Sequence, residues 1–303
     1  MTVHKSFTQR NWGGLGIRRR LRSGNQKIMA AAERARLALK YRRAHKKFGI
    51  TAPIIIYQMG KVGSSSFYHS LRALDLDVPV YHAHVLAKLD EYETAVRAQF
   101  SNPETYLNSI NEGRAIRREI DSARWTRWDL ICLVRAPIPR SISQFFETAH
   151  TFIPDIWERA AQGALRLDEL QEAYLSQFHD TSPLNWFEDQ VRDPFGIDVY
   201  ATPFDVTRGY EIYTRLPVRL LILRLEDTNR VTVPAFRKFL GLEHFTLQRF
   251  NETQSKMYNQ FYQAFQNNLK LDQAFIAKMH STRYARHFYT EQELEASVRR
   301  WRA

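Results

Sequence analysis

Residues 53–70 read Pro-Ile-Ile-Ile-Tyr-Gln-Met-Gly-Lys-Val-Gly-Ser-Ser-Ser-Phe-Tyr-His-Ser. The apolar run Ile54–Tyr57 has the length and composition of a buried strand in a parallel sheet. Gly60, Lys61 and Gly63 follow it, then three hydroxyl residues, Ser64–Ser66. Phe67, Leu71 and Leu74 next fall on one face of a helix. Strand, glycine loop and helix start together make an anion cradle. Glycines let main-chain N–H groups converge, and the first helical turn adds unpaired donors and the positive end of its dipole. Lys61 adds a full positive charge. The competing reading is a serine-capped helix after a tight turn.

The spacing departs from the nucleotide-triphosphate loop G-x-x-x-x-G-K-[ST], because Lys61 stands between the two glycines rather than after the second. A second stretch strengthens the anion reading. Residues 129–143 read Asp-Leu-Ile-Cys-Leu-Val-Arg-Ala-Pro-Ile-Pro-Arg-Ser-Ile-Ser. Leu130–Val134 is a further strand candidate, and Arg135 stands at its carboxyl end, where open α/β sheets bind ligands. Pro137 and Pro139 end the strand. A helix is then expected to carry Arg140, Ser143 and the pair Phe145 and Phe146. Arg135 suits a phosphate by its planar fork, and Ser143 offers a hydroxyl to the same group. Taken singly, Arg135 also reads as a strand-end salt bridge and Ser143 as an exposed helical serine.

The Gly60-Lys61-Val62-Gly63-Ser64-Ser65-Ser66 loop, followed by Arg135, Arg140 and Ser143, resembles the paired signature of sulfotransferases that use 3′-phosphoadenosine 5′-phosphosulfate. Leu220–Asp227, ending Arg-Leu-Glu-Asp, is similar to that family's late core strand. The stretch from Asn185-Trp186-Phe187 to Phe204-Asp205 resembles bacterial capsular polysaccharide synthesis proteins. The resemblance implies a three-layer α/β/α domain over residues 49–303, with a central parallel sheet of the P-loop NTPase-like sulfotransferase kind. It implies that the first loop holds the 5′-phosphosulfate and that Arg135 and Ser143 hold the 3′-phosphate. Sulfuryl transfer by charge neutralisation and alignment calls for no metal. A basic segment late in the chain often closes over the 3′-phosphate in that family. Lys256, Arg283 and Arg286 are the candidates for it here, without the glycine-flanked form found in cytosolic small-molecule sulfotransferases. Surface charge is the plain alternative for all three.

The acceptor hydroxyl needs a base. In Val80-Tyr81-His82-Ala83-His84 the period of a strand puts both histidines on one face at the strand's carboxyl end. Histidine titrates near neutrality, which suits it to take the proton. His84 is the first choice and His82 the second, with Glu188 and Asp189 as acidic alternatives and two packed histidines as the bland one. No third ligand at a zinc spacing accompanies them. Trp186, Phe187, Tyr200, Phe204 and Tyr210 form either a stacking floor for a sugar or part of the core.

The chain has 303 residues, enough for one large domain with an extension. Its single cysteine excludes an internal disulfide. The net charge of +12 is concentrated: residues 1–50 hold 14 Lys or Arg and one acidic residue, leaving the remainder near neutral. Residues 1–48 read as a basic extension, disordered at first and helical over 26–47. Its charge suits an anionic membrane surface or a polyanion, and no base-reading motif points to specific nucleic acid. It lacks the apolar core of a secretory signal, and no window is apolar enough for a membrane span. A cytoplasmic bacterial protein, peripheral at the inner face of the membrane, is therefore expected.

The expected activity is transfer of a sulfuryl group to a hydroxyl of a carbohydrate or glycolipid. The alternatives are a nucleotide-dependent kinase or NTPase with an atypical phosphate loop, and a non-enzymatic polyanion- or membrane-binding protein. Strands are expected at 53–58, 78–82, 129–134 and 219–225. Helices are expected near 64–75, 87–120, 138–150 and 164–178, a loop and hairpin insertion at 181–217, and helices again over 231–303.

Overall fold

A computed structural model describes residues 50–100, 103–178, 182–250 and 259–303. The basic extension and Lys256 lie outside these ranges. Five strands form one sheet in the order β2-β1-β3-β5-β4. They are β1 (Ile54–Tyr57), β2 (Val80–Ala83), β3 (Trp128–Val134), β4 (Tyr210–Arg215) and β5 (Val218–Arg224). The first three and β5 pair in parallel, whereas β4 runs antiparallel on the outer edge of β5. The sheet is thus mostly parallel rather than wholly so. The cause is local: β4 and β5 are joined only by Leu216 and Pro217, too short a link for a parallel crossover.

Every residue of β1 and β3 is buried. That is the pattern of strands covered on both faces, and it explains why they read as unbroken apolar runs. The register shows which helices cover which face. Ile56 pairs with His82 and with Ile131, so these side chains share a face. On that face His82 stacks on Tyr68 of helix α1 (Ser64–Ala73), and Phe67 of α1 packs on Phe236 of a later helix, Thr228–Leu240. Tyr57 points the opposite way and meets Trp186 and Phe195. Residues 87–120 were expected to be helical throughout. They form two helices instead, α2 (Leu89–Gln99) and α3 (Glu104–Asp121), because Phe100 is extended and Pro103 caps α3. Arg117 of α3 lies over the Phe195 ring, which places α3 on the Tyr57 face.

The chain leaves β1 through α1 towards β2 on one side of the sheet. It leaves β3 through α4 (Pro137–Thr148) towards β5 on the other side. The carboxyl ends of β1 and β3 therefore flank a switch point, the crevice where open α/β sheets bind ligands. A second core lies beyond α4. Phe145 and Phe146 pack with Tyr174, Phe265 and Trp301 there. No helix among the described residues is long and apolar enough to cross a membrane.

Candidate functional site

The loop after β1 turns on two left-handed residues, Lys61 (φ 69°) and Gly63 (φ 82°). A Cβ on Gly63 would stand 2.7 Å from Leu225 Cδ1, so this position needs glycine twice over, for its φ and for its space. Gly63 precedes α1, and no side chain caps that helix. Ser64–Ser66 of its first turn, whose N–H groups have no partner within the helix, line the same cavity as the loop. Val62, between Lys61 and Gly63, is fully buried, main chain included, and is not open to a ligand.

The second element meets the first directly. The Arg135 guanidinium donates from Nη1 to the Lys61 carbonyl at 3.1 Å and from Nη2 to the Tyr262 hydroxyl at 3.4 Å. The buried Tyr284 hydroxyl clasps the main chain of Arg135 by accepting from its N–H and donating to its carbonyl, each at 2.8 Å. The next N–H, on Ala136, donates to Glu226 at 2.7 Å. The late Arg-Leu-Glu-Asp run thus braces the Arg135 turn, while its first member, Arg224, is buried and paired with Asp227 and Glu293.

One cavity of about 880 Å³ joins these parts. Gly60, Lys61, Gly63 and Ser64–Ser66 line it, together with Arg135 and Ser143. His82 and His84 line it at the end of β2. Lys61 Nζ lies 2.7 Å from Glu147 Oε2. Glu147 stands four residues after Ser143 on α4, so the helix presents both to the cavity.

The histidines are wired to the loop. Gln58 is fully buried at the end of β1 and donates from Nε2 to Ser64 Oγ at 2.7 Å. Ser64 Oγ lies 2.9 Å from His82 Nε2. His84 Nδ1 lies 3.1 Å from the Gln58 carbonyl and 3.3 Å from Gln58 Nε2; in the tautomer that donates to the carbonyl, the lone pair is on Nε2. Burial pushes the His82 imidazole down to about 4, with His84 and His69 adding to the shift. Burial also lowers His84, opposed by its bond to the Gln58 carbonyl and assisted by the charge of Lys61. Both rings are neutral near pH 7. Two core groups hold the turn that follows: Trp186 Nε1 donates to the His84 carbonyl at 3.1 Å, and Gln190 Oε1 accepts from the N–H groups of Leu86 and Ala87.

Other expected residues lie elsewhere. Arg140 is only 1% exposed within α4 and does not line the cavity, because its position on that helix turns it inward. Arg283 is exposed beside Glu188, with its guanidinium 4.3 Å from the Tyr200 ring centre, outside the cavity lining. Arg286 is exposed and also outside it. Trp186, Phe187, Phe204 and Tyr210 are core, not a stacking floor. Glu188 and Asp189, the acidic alternatives for the base, are outside the lining as well. Asp189 is occupied by Lys88.

Sequence reasoning missed Gln58, Glu147 and Arg249. Gln58 had a signal, a polar residue at the end of a buried apolar strand. Glu147 had one too, the four-residue step from Ser143. Arg249 lines the cavity because Ser66 and Ser70 of α1 exchange hydrogen bonds with the main chain of Phe250 and Gln248. No local pattern announces that contact, which spans more than 170 residues of chain.

The comparison with curated proteins gives no match, nor does the comparison with solved structures. Residues 168–290 match the family model NKWYS, described as "Putative capsular polysaccharide synthesis protein". The matched segment contains β4 and β5 and the groups that hold the His84 turn and the Arg135 turn, including Trp186, Gln190, Glu226 and Tyr284. It contains neither the Lys61 loop nor Arg135 itself. The likeness supports a capsule-related family.

Proposed function

We propose that this protein is a sulfotransferase that moves a sulfuryl group from 3′-phosphoadenosine 5′-phosphosulfate to a hydroxyl of a carbohydrate or glycolipid. What carries this reading is the single cavity shared by the Lys61 loop, Arg135, Ser143 and His84. At about 880 Å³ it lies within the range of small-molecule sites. The chemistry of its lining fits a donor with two anionic ends. Loop amides and Lys61 suit one end, and the Arg135 fork with the Ser143 hydroxyl suits the other. The Glu147 carboxylate on Lys61 occupies the place of an anionic donor oxygen.

When bound, the donor supplies a sulfuryl group whose sulfur–oxygen bond to phosphate breaks as a new bond to the acceptor oxygen forms. Lys61 and the α1 amides offset the charge that grows on the leaving phosphate oxygen. His84 receives the acceptor's proton on Nε2, the nitrogen left with a lone pair by the Gln58 contact. His82 is less suited because its Nε2 is engaged by Ser64. Gln58 and Trp186 hold His84 in place. The capsule-related match favours a carbohydrate as the acceptor.

The test is transfer of labelled sulfate from the donor to a panel of glycans and glycolipids, without added metal. Label appearing in a glycan supports the reading. No transfer to any member, from protein that binds the donor, removes it.

A further inference from the structure

The cavity lining has two chemically different parts. Its cations, Lys61, Arg135 and Arg249, belong to the loop after β1, the β3 turn and the strap pinned to α1. Another part of the lining comes from α2 and α3, and its polar members are Tyr92, Thr105, Tyr106, Asn108, Ser109 and Glu112. No Lys or Arg from these helices lines the cavity. Their arginines lie outside the lining: Arg97 pairs with Glu93, Arg114 with Asp90 and Glu93, Arg117 with Asp121, and Arg118 is exposed. The spacing 105, 108, 109, 112 is one face of a helix, extending about 10 Å along α3.

We infer that this face of α3 is the acceptor platform and that it takes an uncharged sugar chain. Hydroxyls and an amide repeat along it, as recognition of sugar hydroxyls requires. Tyr106 adds an aromatic surface, held by stacking on Phe100 at 4.3 Å. The one charge is negative, on the exposed Glu112. A second carboxylate, Glu147, lies close enough to raise the Tyr106 phenol, after the larger effect of burial. A uronate-bearing chain laid here would meet the Glu112 carboxylate and no cation of α2 or α3, Glu147 being paired with Lys61. A neutral chain would meet only hydrogen-bonding partners. His84 lines the same cavity, next to Val85 against which Gly113 of α3 packs, so an acceptor on α3 would reach it.

This inference rests on the donor site proposed above, so both are measured in the same samples. Full-length protein is titrated with 3′,5′-bisphosphoadenosine by calorimetry. It is then observed by saturation-transfer NMR with a neutral hexasaccharide and with a uronate-containing hexasaccharide of equal length. The neutral chain is expected to bind roughly tenfold or more tightly than the anionic one. Glu112→Lys, a change at an exposed position, should narrow or reverse that preference and leave bisphosphate binding unchanged. Equal or tighter binding of the uronate chain, no effect of Glu112→Lys on the preference, or binding of neither glycan overturns the platform. Glycan binding that responds to Glu112→Lys without any bisphosphate binding sinks the donor site and leaves the platform standing.

Discussion

The Arg135 guanidinium donates to the main-chain carbonyl of Lys61 at 3.1 Å, so the turn after β3 and the loop after β1 are held as one unit. Arg135 is doubly placed. It lines the cavity, and it fixes the loop that lines the same cavity. Arg135→Lys keeps the charge but loses the fork that reaches both Lys61 and Tyr262. Binding of 3′,5′-bisphosphoadenosine is expected to weaken by roughly tenfold to a hundredfold, on a loss of about 1.5–3 kcal/mol for a charge-assisted bond. Isothermal calorimetry of the two proteins checks this.

On the proposed reading, Glu147 and the donor compete for Lys61. The pair is partly exposed, so its intrinsic worth is small, but it must open before an anionic oxygen takes the same place. Glu147→Gln is expected to tighten bisphosphate binding by about twofold to fivefold. Unchanged or weaker binding of the variant would show that the carboxylate does not contend for that position.

His84 is expected to act as the base and His82 to act through packing. His84→Asn should lower kcat by roughly 10²–10⁴ while bisphosphate affinity holds. Because burial lowers the His84 pKa, the ring stays neutral below pH 6.5, and the activity plateau should extend to lower pH than an ordinary histidine allows. A fall in rate centred at 6.5 or above would contradict the assignment.

His82 ties stability to pH. Its folded value is depressed from 6.5 to about 4, so the folded state binds fewer protons than the unfolded chain between those limits. Its contribution is complete above pH 6.5 and is lost as pH falls towards 4. Denaturant unfolding should show stability declining across that window. His82→Asn should flatten the decline, measured as ΔG against pH for both proteins.

Gly113 packs α3 directly against the turn that follows His84. A Cβ there would lie 2.3 Å from the Val85 carbonyl oxygen. Alanine would gain about 1 kcal/mol in helix propensity, but the atom it meets is main chain, and overpacking costs about 1–3 kcal/mol or more. Gly113→Ala is therefore expected to lower the melting temperature, and to reduce kcat by shifting α3 and His84 apart. A melting temperature at or above that of the parent would show that α3 yields without cost.

The elements that position the candidate site were legible because their signals are local. β1 and β3 are short apolar runs ending in residues that cannot continue a strand, and the alternation in β2 placed His82 and His84 on one face. What escaped depends on partners distant in the chain. Arg140 reads like a ligand beside Arg135, but α4 turns it inward. Arg283 and Arg286 look like a basic lid, but the helix Arg283–Phe288 spends its inner face on Tyr284 and Phe288 and leaves both arginines outside. Gln58, which links both histidines to the loop, is one polar residue at a strand end, and its role exists only once β2 lies alongside.

The most direct measurement is calorimetric titration of full-length protein with 3′,5′-bisphosphoadenosine in the absence of magnesium, alongside Lys61→Ala and Arg135→Ala. Saturable one-to-one binding by the parent, abolished in each variant while the fold persists by circular dichroism, is the predicted result. Parent protein that does not bind, or that binds equally well after either substitution, would contradict a common donor site spanning the two loops.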